Sequence, residues 1–325
     1  MALENKPLVS VIAVSYNHAK YMKEAINSLL NQDYSPLEII ISDDHSTDDG
    51  FKIAKQIISE YHGPHQIILK QNSQNLGIGG NVSAALKLSN GDLLVSADCD
   101  DVSEPHRISR LVKLWQSQSH KPHLITSDAW DTTPNGKDLR IKKCSNLEEI
   151  RSINEWIKNK PLFFGCTNMY TRELVNKFGL LRPNCGATDQ IMVLRAILLG
   201  GVLSLHEPLV HHRQGGVTGN KPMNVVDKVN RLLNESSRTV ADIEQHIDDA
   251  EKFGFENVVR EHFKDRLAEA NLIPKLLNAA SFKEELKIFF QERETPLLKR
   301  IRLLSYAILP FMHRVIFKVK REMKK

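Results

Sequence analysis

Four times in its first hundred residues the chain passes from a short apolar run to an amphipathic one. That alternation constrains the fold more than any other feature. PLVSVIAVSY is nearly continuous in apolar residues and rich in Val and Ile, as a strand covered on both faces requires. AKYMKEAINSLLNQ sets Tyr21, Met22, Ala25, Ile26, Leu29 and Leu30 at helical spacing. LEIIISDD, HQIILKQ and GDLLVSADCDD read as further strands. TDDGFKIAKQIISEYH and GNVSAALKLSN read as further helices, the first with Thr47 or Asp48 as its cap. Such alternation predicts an α/β fold, a mostly parallel sheet wrapped by helices.

Sheets of this kind bind ligands beyond the carboxyl ends of their strands. The residues expected there are Ser15, Tyr16 and Asn17 after the first strand, and Asp43 and Asp44 after the second. Asn72, Asn75 and Gly77 follow the third, and Asp98, Asp100 and Asp101 the fourth. One Asp after a strand is commonly a turn former, and that reading stays open for each carboxylate taken alone. Their clustering argues for more, because crowded carboxylates raise one another's pKa unless a cation or donors offset them. Asp98 and Asp100 leave the strand on the same side, and Cys99 between them points into the fold. Mg²⁺ or Mn²⁺ relieves the repulsion and keeps positions for substrate phosphates. The acidic knot therefore predicts a metal and a phosphate-bearing ligand.

Beyond residue 120 the alternation weakens. PHLITSDAW reads as a strand, SNLEEIRSINEWIKNKP as a helix, and PLFFGCTNMYTRELVNKFG as strand, turn and helix. GATDQIMVLRAILLGG is a helix with Asp189 near its start, and GVLSLHEPLVHHR is a strand. From about residue 223 the pattern is wholly helical. Gly, Asn and Pro cluster in GGVTGNKPMN, which sets a boundary between a domain of residues 1–222 and a helical extension of residues 223–325. A helical segment over residues 223–290 offers a surface for a homodimer.

The net charge of +5 hides an asymmetry. Residues 299–325 hold nine Lys or Arg and one acid, so the remainder of the chain is slightly acidic. In that tail Ile301, Leu304, Ile308, Phe311, Val315 and Val319 draw one stripe, kinked at Pro310. It reads as an interfacial helix on an anionic leaflet, or as a helix packed on its own domain with solvated lysines. An acidic body without aromatic and basic interleaving argues against nucleic acid as a partner. The N-terminus lacks the pattern of a signal peptide, and no 18-residue window is free of charge. Cys99, Cys144, Cys166 and Cys185 show no CxxC pairing, as expected of reduced thiols in a cytoplasmic protein. The expected location is the inner face of the cytoplasmic membrane, held peripherally by the basic tail.

In order along the chain stand VSVIAVSYN, LEIIISDDHSTDD, NLGIGGN, GDLLVSADCDDVSEP, TDQ and HHRQGGVTG. Single pieces are common, but the ordered series resembles the inverting family 2 glycosyltransferases of GT-A fold, from about Leu8 to Asn220. The resemblance implies that Asp44, preceded by Asp43, hydrogen-bonds the nucleotide base, and that Tyr16, flanked by Ser15 and Asn17, stacks near it. Asn75 and Asn81 match polar positions near the donor. Asp98, Asp100 and Asp101 match the metal motif, with Asp100 the foremost candidate for direct ligation of Mn²⁺ or Mg²⁺. Asp189 matches the catalytic base. A helix N-terminus favours its ionised form, and a plain capping role for it stays open. The usual Arg-x-His-Gly ending is replaced by His211, His212, Arg213, Gln214, Gly215 and Gly216, so the resemblance does not say which of the first three meets the diphosphate or metal. Ser103 and Glu104 stand where related sequences often carry an aromatic.

The implied activity is metal-dependent, inverting hexosyl transfer from a nucleotide-sugar, a UDP-sugar, to a saccharide acceptor. A lipid-linked acceptor in surface polysaccharide assembly, such as O-antigen, lipopolysaccharide or capsule, fits the basic tail. A nucleotidyltransferase would want a Gly-rich loop after the first strand, and SYNHAKY has no Gly. A non-catalytic binding module would have shed the base or the metal carboxylates. A dinucleotide-binding oxidoreductase would carry GxGxxG there. Trp156 reads as an acceptor-side platform, and Trp115 and Trp130 as core. His106 and Arg107 read as solvated or close to the diphosphate.

Overall fold

The computed structural model describes residues 6–214 and 225–308. The chain divides into two units, Met1–Gly219 and Asn220–Lys325. In the first unit, β1 (Val9–Ser15), α1 (Ala19–Leu30), β2 (Leu37–Asp43), α2 (Gly50–Ser59), β3 (Gln66–Gln71), α3 (Gly77–Leu86) and β4 (Leu93–Asp98) follow the expected alternation. Every residue of β1 and β2 is buried, which is why both are apolar throughout. β3 is only half-buried, in keeping with its place at the sheet edge.

Next come β5 (Val102–Ser103), α4 (Arg107–Ser117), β6 (Leu124–Thr132), β7 (Asp138–Lys142), α5 (Ile153–Asn159), β8 (Met169–Thr171), α6 (Arg172–Phe178), α7 (Thr188–Leu199) and β9 (Val202–Arg213). The sheet order is β3-β2-β1-β4-β8-β6-β9-β5, with β7 paired to β6. β1 runs parallel to β2 and β4, and β2 parallel to β3. β8 enters antiparallel between β4 and β6, so two parallel halves meet across it. The main core joins Val9, Val11, Ile39, Ile41, Leu93 and Val95 of the sheet to Met22, Ile26, Leu29, Ile108 and Leu111 of the helices.

Several local expectations change. SNLEEIRSINEWIKNKP is not one helix. It is a single 3-10 turn at Leu147–Glu149 and then the short α5. Ser204 Oγ holds Leu147 N–H at 2.9 Å, while Ser152 caps α5 by accepting from Glu155 N–H at 3.3 Å, so the segment restarts instead of continuing. Trp156 faces the core, not an acceptor. Arg107 is neither solvated nor exposed to a diphosphate, because its side chain is fully buried. Trp115 packs against the core with its indole N–H on Pro122 O, and Trp130 stacks on His211. Asp48 does not cap α2 in the simple way. One oxygen accepts from Gly50 N–H and the other from Ala19 N–H, tying the starts of α2 and α1 together.

The second unit holds α8 (Val225–Glu251), α9 (Glu256–Leu277), α10 (Phe282–Gln291) and α11 (Leu297–Ile308). Leu272, Ile273 and Leu276 of α9 meet Leu303 of α11 in a small core of their own. Thus Leu303, outside the expected stripe, is a buried position of α11, while Ile301 is exposed. Three of the basic residues are engaged within the unit: Lys299 and Arg302 pair with Glu269, and Arg300 donates to Phe289 O and Glu292 O. The rest of the tail, with Phe311, Val315 and Val319, lies outside the described residues, as does the whole of the Gly-rich boundary segment. Among the described residues no helix is long and apolar enough to cross a membrane. No disulfide joins the four cysteines, and all are buried.

Candidate active site

The carboxyl ends of β1, β2 and β4 meet at one edge, where Ser15 lies beside Asp43 and Val14 beside Asp98. The β2 end is heavily braced. Asp43 accepts from Ser46 N–H and Oγ and from Gln71 Nε2. Asp44 Oδ1 accepts from Asn72 Nδ2 at 3.0 Å and from Leu76 N–H at 2.8 Å. Asn81, buried on α3, takes Ser42 Oγ and Asn72 Nδ2 on its oxygen and donates to Ser42 O and Ser15 O. Its amide is a cross-brace between α3 and the strand ends. Asn17 adopts a positive φ of 57° and clamps the neighbouring loop, accepting from Thr47 N–H at 2.8 Å while its own N–H meets Ser46 Oγ. Tyr16 stands exposed beside it, and Asn75 is exposed with its oxygen on Gly77 N–H. Ser15 is buried, and its hydroxyl has no hydrogen-bond partner among the described residues.

A cavity of about 310 Å³ opens beside β4. Asp98, Asp189, His212, Asn168, Phe164 and Cys166 are among its walls. Two elements far apart in sequence thus bring Asp98 and Asp189 to one space. Asp189 sits in the first turn of α7, behind the N-cap Ala187, so it is not itself the cap. Its Oδ1 accepts from Gln190 N–H at 2.8 Å. Gly165 allows the close approach of Asp189: a methyl there would lie 3.0 Å from Asp189 Cβ.

The knot is electrostatically tense. Burial, then the charges of Asp101, Asp100 and Asp189, push the Asp98 carboxyl well above the usual range. Burial and Asp100 raise Asp101 too, against the pull of His212, the Arg213 N–H and the Cys166 thiol. Beneath lies Arg107, whose guanidinium donates to Ser96 O at 2.7 Å, to Cys166 O at 2.5 Å and to Ser103 Oγ at 3.0 Å. Burial pulls its pKa to about 10, still a cation at neutral pH. His18 Nε2 lies 3.7 Å from Asp100 Oδ2.

Strand alternation separates the three basic residues of β9. His212 faces the cavity, with its ring 6.2 Å from that of Phe164. His211 and Arg213 face a second groove of about 600 Å³. There His211 is held between Glu104 and Asp138 at 2.9 Å each, and Arg213 pairs with Glu24 and covers the Tyr21 ring. The backbone N–H of Arg213 donates to Asp101 Oδ1 at 2.8 Å.

These residues fit a hard divalent cation. Ligand atoms of Asp101, Cys166 and His212 lie within 4.8 Å of one another. His212 Nδ1 and His18 Nδ1 are buried without hydrogen-bond partners among the described residues. Burial and the nearby carboxylates push the Cys166 thiol up, and a hard cation does not displace its proton, so the carboxylates and His212 are the donors for such an ion. Oxygen donors with one imidazole suit Mn²⁺ or Mg²⁺. Sequence reasoning passed over His18, Asn168, Cys166 and Phe164. His18 follows directly on SYN, which was its only signal, and the FFGC segment carries none.

The family model for Glycosyl transferase family 2 matches residues 10–179, more than half of the chain. The chain belongs to this family. An uncharacterized glycosyltransferase of Nostoc sp. is 28% identical over 247 residues, 74% of each protein. The putative glycosyltransferase EpsE of Bacillus subtilis is 35% identical over 118 residues, 36% of this chain and 42% of EpsE. Among solved structures, S. aureus TarS 1–349 in complex with UDP superposes with a TM-score of 0.53 at 17% identity, over 92% of this chain and 90% of that one. The mannosyltransferase PcManGT of Pyrobaculum calidifontis, in complex with GDP-Man and Mn²⁺, gives 0.52 at 18% identity, over 96% and 88%. At such identities the structural likeness establishes the GT-A-like fold. The family membership makes the chain a glycosyltransferase.

Proposed function

We propose that this glycosyltransferase transfers a sugar, with inversion, from a UDP-sugar to a saccharide acceptor on a lipid carrier in surface polysaccharide assembly. The observation that carries the reading is one cavity lined by Asp98, Asp189 and His212 at the carboxyl edge of the sheet. The neighbours solved with UDP and with GDP-Man and Mn²⁺ favour a nucleotide-sugar donor and a divalent cation.

Asp98, Asp100, Asp101 and His212 would hold the cation. When bound, it offsets the charge growing on the departing diphosphate. Asp189 takes the proton of the acceptor hydroxyl as it attacks the anomeric carbon, a contribution of roughly 10² to 10⁴ in rate. Tyr16 stacks on the base. Asp44 Oδ2 makes no hydrogen bond among the described residues and is the atom to accept from the base. Asn81 serves this site by holding β1, β2 and α3 together, and Arg107 by balancing the charge of the knot. The acidic knot and Asp189 argue against a non-catalytic module, and SYNHAKY, without Gly, argues against a nucleotidyltransferase.

A peripheral contact with an anionic leaflet is supported by α11, where Leu297, Leu298 and Ile301 are exposed beside basic residues. Domains of residues 1–222 and 223–325 complete the proposal, with the second carrying the membrane contact and any homodimer surface.

The test is thermal shift against a panel of nucleotide-sugars, with and without Mn²⁺, on the wild type and Asp100→Ala. One UDP-sugar should stabilise the wild type in the presence of Mn²⁺ and leave Asp100→Ala unmoved. No shift with any donor in either protein would remove the donor and metal assignment.

A further inference from the structure

We propose a second metal site, for Zn²⁺, formed by Asp128, Cys144 and His206. Asp128 lies on β6, Cys144 follows β7, and His206 lies on β9. None of the three lines the cavity of Asp98 and Asp189. The inference stands apart from the proposed transfer.

Geometry comes first. Asp128 Oδ1 lies 3.3 Å from His206 Nδ1 and 3.2 Å from Cys144 Sγ, and Cys144 Sγ lies 3.9 Å from His206 Nδ1. Tetrahedral zinc with ordinary Zn–S, Zn–N and Zn–O lengths sets its ligand atoms about 3.3 Å apart for N and O, about 3.5 Å for S and O, and about 3.6 Å for S and N. The three atoms already stand at the corners of one face of such a tetrahedron, and shifts of about 0.3 Å complete the match.

The donor set comes second. Burial and Asp128 push the Cys144 thiol up to about 12, so the ion must displace its proton; the resulting thiolate, with an imidazole and a carboxylate, selects a borderline-soft cation over Mg²⁺ or Ca²⁺. His206 is also oriented from behind: Asn146 Oδ1 accepts from its Nε2–H at 2.7 Å, which turns Nδ1 toward Cys144 and Asp128. The Cys144 N–H donates to Asp128 Oδ1 at 2.8 Å and fixes that carboxylate. Asp128 and Cys144 are buried, while His206 is exposed, so the site has solid walls and one open side. Water would fill the fourth position there.

The backbone explains how the three meet. Between Ser127 and Asp128 the pairing of β6 with β9 jumps from Leu205 to Pro208. Pro208 has no N–H for the ladder, and the bulge displaces His206 and Glu207 from the regular strand. His206 is thereby aimed at Cys144, and Glu207 at Arg110. Uptake of Zn²⁺ would release the Cys144 thiol proton to solvent and bond β6, the bulged β9 and the segment after β7 into one unit. β9 ends in His211–Arg213, so the ion would stiffen a strand that leads into the active site.

The test uses the full chain, stripped of metal and titrated with Co²⁺ and then Zn²⁺. A thiolate-to-cobalt charge-transfer band with tetrahedral d–d intensity should grow to one ion per chain and vanish as Zn²⁺ displaces it. The band should be lost in Cys144→Ser and in His206→Gln, whose exposed position keeps the fold intact. It should persist in Cys166→Ser. Asn146→Ala should weaken Co²⁺ binding by on the order of 10-fold or more. Two results would overturn the proposal: no band at all, which leaves a hydrogen-bonded cluster only, or a band that follows Cys166, which moves the ion to the acidic knot.

Discussion

Asp101 Oδ1 accepts the backbone N–H of Arg213 at 2.8 Å, across 112 residues of sequence. That bond ties the acidic knot to the end of β9 and sets His212, one residue earlier, against the cavity. Asp101→Asn retains an acceptor oxygen but loses the charge. It should fold as stably as the wild type while binding Mn²⁺ more weakly in isothermal titration. Asp101→Ala should lose metal affinity and also about 1.5–3 kcal/mol of stability, the usual worth of a charge-assisted bond. Equal stability of all three proteins would show that the bond does not hold the strand end.

Asp189→Asn keeps the shape of the side chain and removes the base. The expected result is a loss in kcat of roughly 10² to 10⁴ with donor binding unchanged. Gly165→Ala probes the same group from behind, because its methyl would crowd Asp189 Cβ at 3.0 Å. It should lower kcat while leaving Mn²⁺ affinity intact. A fall in metal affinity in either variant would place Asp189 among the ligands instead.

Arg107 is a buried cation that donates to three oxygens and lies near two acids, Asp98 and Asp101. Arg107→Met leaves Asp98 and Asp101 without a counter-charge. Chemical denaturation should show a loss of about 3–5 kcal/mol in metal-free protein. Saturating Mn²⁺ should restore part of it, since the cation supplies the missing charge. A loss that Mn²⁺ leaves untouched would make the role of Arg107 purely one of packing.

Glu38 supplies the pH dependence. Burial alone would raise its carboxyl, but hydrogen bonds from Ser10, Asn90 and Gly91 outweigh burial and hold it below the usual range. A depressed folded-state pKa gives stability that is present above the unfolded value and lost as pH falls through the folded one. The first unit should therefore weaken in acid, and Glu38→Gln should flatten that limb of the curve. The same variant should cost about 1–3 kcal/mol at neutral pH, as charge-assisted acceptance at Glu38 is lost. An unchanged acid limb would assign it to other carboxylates.

Local pattern made part of this protein legible in advance. The apolar runs of β1 and β2 and the spaced helices between them dictate a covered parallel sheet, because few other arrangements bury such strands on both faces. The carboxyl-edge rule then brings Asp43, Asp44, Asp98, Asp100 and Asp101 to one side without further information. What tertiary structure alone decided depends on register and on partners distant in sequence. A one-residue step on β9 sends His212 into the cavity and His211 and Arg213 into another groove, and pleating makes that choice for all three at once. Trp156 and Arg107 read as surface residues by their neighbours, but each is covered by segments that arrive from elsewhere in the chain. Asn81 reads as a donor contact by motif, yet its amide is consumed in bracing Ser42 and Ser15. Asp128, Cys144 and His206 carry no motif, because a bulge around Pro208 brings them together. Residue type and spacing determine which elements form and which ends are polar; long-range packing determines where each side chain points.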